Sequence, residues 1–260
     1  MRSRALWAFF AIALIAAAAA ALWFTRPWES LRPPIPEAPA PSPIAPPVAQ
    51  GPRYPPPAPA PVDKPLPRLD ESDATLLEAL STLMGPQALA KLVQPERLVR
   101  HIVVTIDNLP RQIFAPQFSP VNPPGGQLRT TGQGETLAIA PANAARYTPY
   151  VRALEAMDGE RLVALYARFH PLFQQAYVEL GYPNAFFNDR LVEVIDHLLA
   201  TPEVKGPVQL VVPHVLAEFA DPSLQERSTG QKLLLRMGPE NAARVKAKLR
   251  ELRGALVRQP

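Results

Sequence analysis

Downstream of Arg68, apolar side chains recur every three or four positions in several separate stretches, which is the period of a helix with one buried face. LDESDATLLEALSTLMG opens with capping residues and closes on Gly85, predicting a helix of about three turns. In QPERLVRHIVVTIDNLP, Leu98, Ile102, Ile106 and Leu109 share one face; Pro95 is expected at the helix start and Pro110 at its stop. QLRTTGQGETLAIA reads as a hairpin around Gly132–Gly134. Thr148 and Pro149 open a short helix. Asp158 caps a longer one running to Leu180, with Gly181 as its stop. Its expected buried stripe is Leu162, Leu165, Phe169, Phe173, Ala176 and Leu180; Pro171 falls on the wet side, where a kink is expected. VQLVV (208–212) reads as extended, and two further helices follow, divided at Gly238-Pro239. The predicted fold is mainly α: a helical domain with a small β-hairpin or extended pieces.

The sharpest polar–apolar division lies in NAFFNDRLVEVIDHLLATP (184–202). On a helical wheel, Phe187, Leu191, Val192, Val194, Ile195, Leu198 and Leu199 fall between roughly 80° and 240°. Asp189, Arg190, Glu193, Asp196 and His197 share the remaining arc. The plain reading is the solvated side of an amphipathic helix, with Arg190–Glu193 and Glu193–His197 pairs each worth a few tenths of a kcal/mol. The sharper reading is a groove in which Glu193 and His197 move a proton or hold a cation. A usable metal site needs further ligands, and His101, His170 and His214 show no such spacing, so no metal is assigned. The aromatic residues Tyr166, Phe169, Phe173, Tyr177, Tyr182, Phe186 and Phe187 are expected in the core, ahead of a sugar-stacking cleft.

The pattern changes sharply before Arg68. Ala5 to Phe24 is a run of 20 apolar residues flanked by Arg2 and Arg4, with Trp7, Trp23 and Trp28 near its ends. That is long enough to cross a bilayer and too long for an ordinary signal core. Residues 1–26 are therefore read as a transmembrane signal-anchor, with a cleaved secretory signal as the rival. Both readings export the chain, and the favoured placement is single-pass in a bacterial inner membrane with the C-terminal domain in the periplasm. Residues 27–67 hold 17 prolines and few large apolar side chains, and are read as a disordered proline-rich linker. Residues 68–260 form the expected helical domain.

Charge is segregated: net +3 over residues 1–67, −5 over 68–231 and +6 over 232–260. In the basic segment, Ala242, Val245, Leu249, Leu252 and Leu256 alternate in steps of three and four. Arg244, Lys246, Lys248, Arg250 and Arg253 surround them, making a basic amphipathic helix. It either packs on the acidic body or meets an acidic partner or anionic membrane. MGPENAARV resembles the second half of a helix-hairpin-helix, but Arg236 stands where the first glycine belongs, and nucleic acid is disfavoured as a partner. The absence of cysteine excludes thiol nucleophiles, disulfides and thiolate metal sites. No phosphate loop, nucleophile elbow, dinucleotide fingerprint or HExxH occurs, and no cofactor is assigned.

The segments PLPRLDESDATL, IDNLPR, PANAARY, GYPNAFFNDRLVEVIDHLLATPEV, LAEFADPSLQ and TGQKLLLRMGPENAARVKAKLRELR together resemble the bacterial family called domain of unknown function 3014, over about residues 66–257. The resemblance implies the same layout of membrane segment, proline-rich connector and helical domain, and no activity. The expected function is an envelope interaction or positioning module. Its membrane contact is residues 5–24, its partner an unidentified envelope protein, and its candidate binding residues are Asp189, Arg190, Glu193, Arg244, Lys246, Lys248 and Arg250. The alternatives are a periplasmic hydrolase or metal-dependent enzyme using Glu193 and His197, and nucleic-acid binding by the basic helix.

Overall fold

Ser72 closes a short 3-10 turn and starts helix α1 (Asp73–Met84), which stops at Gly85. Gly85 has φ 83°, a region that disfavours side chains, and Pro86 at once begins α2 (Pro86–Leu92). This second helix was not expected; it is short and has little apolar period. Helix α3 spans Leu98–Asn108, three residues later than Pro95 suggested. The delay has a tertiary cause. The Asp73 carboxylate on α1 accepts the amides of Arg97 and Leu98 at 2.7 and 2.8 Å, capping α3 from another element, and Arg97 takes φ 49° to allow it. The computed structural model describes residues 51–59 and 64–258. The expected membrane segment and the start of the connector, residues 1–50, lie outside the described residues. Among the described residues no helix is long and apolar enough to cross a membrane.

The remaining helices are α4 (Thr148–Ala156), α5 (Gly159–Glu179), α6 (Phe187–Leu199), α7 (Pro222–Gln225), α8 (Thr229–Arg236) and α9 (Pro239–Val257). Helix α5 is capped by Asp158, whose side chain accepts the Arg161 amide, and it continues through the exposed Pro171. Two short antiparallel hairpins complete the fold. The first pairs β1 (Thr130–Thr131) with β2 (Ala138–Ile139), where the sequence placed it; the second pairs β3 (Leu210–Val211) with β4 (Glu218–Phe219). The Leu210 amide donates to the Leu137 carbonyl at 2.8 Å and links the two.

Helix α5 is central. Helix α3 packs along it, and α9 packs along α4, α5 and α6. Because α5 is covered on more than one side, its burial departs from the single expected stripe. Phe169, Phe173 and Ala176 are buried as expected, joined by Val163, Ala167, Leu172 and Tyr177; Leu162 and Leu165 are half-buried and Leu180 is exposed. Phe173 and Phe187 stack at 5.7 Å and Tyr177 and Tyr182 at 4.5 Å, so the aromatic cluster is core.

Candidate functional site

Helix α6 carries the polar arc singled out in the sequence, and each side chain of that arc has its own partner. Arg190 reaches Asp107 on α3: its Nε donates to Oδ1 at 2.9 Å and its Nη2 to the Asp107 carbonyl at 2.8 Å. Asp107 is only 2% exposed and also accepts from Arg111 at 2.6 Å and from the Tyr182 hydroxyl at 3.1 Å. Two guanidiniums and a phenol thus compensate one buried carboxylate, as burial of a charge requires. Asp107 joins α3, α6 and the α5–α6 connection.

Asp189 faces the other way, and its occupant is the connector itself. Its two carboxylate oxygens accept the backbone amides of Arg53 and Tyr54 at 2.9 and 2.7 Å. The buried Asn188 side chain donates to the Tyr54 carbonyl at 2.8 Å and accepts from the Tyr166 hydroxyl at 2.9 Å. The Tyr54 ring packs into the apolar cluster of Val163, Val192, Ile195 and Leu256. A stretch read as featureless spacer therefore has one seated part. Its compositional signal was present: Tyr54 is the sole aromatic residue between Trp28 and Tyr147 apart from Phe114 and Phe118.

Glu193 and His197 do not meet as a working pair. Glu193 is exposed and sits 3.7 Å from Arg190, a loose ion pair. His197 Nε2 lies 2.8 Å from the hydroxyl of Ser228, the N-cap of α8. Burial lowers the His197 pKa, and Arg190 and Arg227 lower it further. Among the described residues no ion pair joins Glu193 to His197, and no cluster of three metal-binding side chains exists. The arrangement positions helices and offers no geometry for shared proton transfer.

Most cations of α9 likewise have partners within the domain. Arg244 pairs with Glu155 on α4, and Arg253 with Asp196 on α6. Lys246 is 5% exposed and Lys248 7%, so neither is a surface charge. Lys246 Nζ donates to the Thr201 carbonyl just beyond α6, and Lys248 Nζ to the Met157 carbonyl at the end of α4, both at 2.5 Å. Each ammonium covers a helix C-terminus, where the dipole favours positive charge. Arg250 alone of the four candidate cations is exposed.

An apolar tip stands out on the β3–β4 hairpin. Val211, Val212, Val215 and Leu216 are 44, 52, 90 and 77% exposed. The run VQLVVPHVL carries the composition of a buried strand, which hid its exposure from a sequence reading. The model of the family described as Protein of unknown function (DUF3014) matches residues 98–253. No curated protein and no solved structure matches the chain. The matched span runs from the first residue of α3 into the last turns of α9, taking in the Asp107 hub and the polar arc of α6, and the chain belongs to the DUF3014 family.

Proposed function

We propose that this protein is a membrane-tethered interaction module of the bacterial envelope, held by its N-terminal apolar segment with the helical domain on the periplasmic side. The observation that carries the reading is the hairpin tip. Four large apolar side chains within six positions face solvent at one hairpin tip. Exposed apolar residues scattered singly need no explanation; a group of this kind marks a contact surface. The tether is supported by the 20 apolar residues Ala5 to Phe24 and their arginine and tryptophan flanks. An enzymatic reading has less support, because Glu193 and His197 address different partners. Nucleic-acid binding is weakened by the internal pairing of Arg244, Lys246 and Lys248.

The test is site-specific photocrosslinking in cells from a probe at position 215 of the full chain, beside a probe at the exposed Lys205 in the preceding loop. A defined crosslinked band from position 215, absent from Lys205 and lost when Leu216→Asp is added, is expected. No band from the tip, or one indifferent to Leu216→Asp, overturns the role given to the hairpin. Fusion of the C-terminus to a compartment-dependent reporter checks the periplasmic placement separately.

A further inference from the structure

Between α1, α3, α4 and α9 lies a partly open pocket of about 440 Å³, walled almost wholly by aliphatic and aromatic side chains such as Leu80, Ile102, Leu154 and Met237. Interiors pack to near-crystalline density and hold few voids larger than a water molecule. A space of this size falls within the usual range for ligand pockets. It shares wall residues with two neighbouring pockets. Leu80, Ile102 and Leu162 also wall a second apolar cavity of about 340 Å³ between α3, α5, α6 and α9. Leu92, Asn122 and Tyr150 also wall a surface pocket of about 420 Å³.

That surface pocket has a different character. Lys91, Arg129 and Arg146 line it, and no carboxylate does. Arg146 is fixed by neutral acceptors, the carbonyls of Pro124, Gly125 and Gly126, so its hydrogen bonds are met while its charge is not. Among the described residues no carboxylate forms an ion pair with any of the three. The body around this cluster is acidic, since residues 68–231 carry net −5. The rim shared by mouth and cavity is held in place: the Tyr150 hydroxyl donates to the Asn122 carbonyl at 2.9 Å, and the Asn122 side chain donates to the Lys91 carbonyl at 2.8 Å.

A cationic mouth on a long apolar space fits a molecule with one anionic end and one apolar chain. We propose that these adjoining pockets open into one another to bind a single-chain anionic amphiphile, with its headgroup at Lys91, Arg129 and Arg146 and its chain along Leu80, Ile102 and Leu162. The headgroup chemistry is a carboxylate or a phosphate, as borne by a free fatty acid or a lysophospholipid. Apolar walls gain by covering hydrocarbon in place of water, while the mouth supplies the charge complement. This site is independent of the hairpin tip and of the tether.

The experiment uses the full chain in nanodiscs and a palmitic acid analogue bearing a mid-chain diazirine, with adducts mapped by peptide mass spectrometry. Saturable labelling within residues 76–84 and 147–162 is expected. Half-saturation should rise roughly tenfold in Lys91→Gln/Arg129→Gln, the effect of losing one good charge contact. Both residues are exposed, so the fold should survive the change. The matching diazirine alcohol should label these peptides weakly and alike in both proteins. Displacement by unlabelled palmitate or by lysophosphatidate then identifies the preferred headgroup. Labelling confined to residues 1–30, equal labelling by acid and alcohol, an unaffected double variant, or displacement by neither competitor would each overturn the proposal.

Discussion

Two histidines give the domain a predictable response to acid. His170 on α5 has a buried Nε2 without a hydrogen-bond partner among the described residues, and burial pushes its pKa below the ordinary histidine value. His197 is lowered too, by burial first and then by Arg190 and Arg227. In the unfolded chain both return to about 6.5. Between the folded and unfolded values the unfolded chain binds more protons, so stability rises with pH across that interval. The contribution is therefore complete above about pH 7, falls away as pH drops through 6.5, and levels off below the folded values. Thermal unfolding at pH 7.5 and 5.5 reads this directly. His170→Gln, neutral throughout, should lose less stability between the two than the wild type. An equal loss in both proteins would place the acid sensitivity elsewhere.

The elements themselves were largely legible, and their partners were not. The periods of α1, α3 and α5, the hairpin at Gly132–Gly134 and the break at Gly238-Pro239 depend on neighbours within a few residues, so composition reveals them. The start of α3 depends on Asp73, 24 positions upstream of Arg97, and the use of Arg190 on Asp107, 83 positions away. Nothing local announces such pairs. The basic helix shows the same limit: its amphipathic face was plain, yet buried and exposed lysines look alike in sequence. Lys246 and Arg250 now separate on structure. Lys246→Met keeps the stem but leaves the Thr201 carbonyl and the end of α6 without their donor, which should cost about 1–3 kcal/mol. Arg250→Met, on the exposed side, should stay within about 0.5 kcal/mol. Urea unfolding of both variants checks the contrast, and equal midpoints would mean that Lys246 does not cap α6.

At the scale of the whole molecule, the consequential contact is the one between the connector and α6. Residues 53 and 54 of the proline-rich connector are seated on α6, so the connector meets the domain at this face well before residue 68. The hold combines two amide bonds to a carboxylate, a third bond from Asn188 and burial of the Tyr54 ring. Trypsin cutting after Arg53 needs this segment to lift away, so the cutting rate follows the fraction of molecules in which it is open. Hydrogen bonds to a charged group contribute about 1.5–3 kcal/mol each. Asp189→Ala should therefore speed cleavage after Arg53 by at least about tenfold. Tyr54→Ala, which removes packing and leaves the carboxylate in place, should act in the same direction. Cleavage after the exposed Lys205, in a loop that the clamp does not touch, should stay constant and report that the fold is intact. If neither variant changes the rate at Arg53 while Lys205 stays constant, the segment is not held by Asp189.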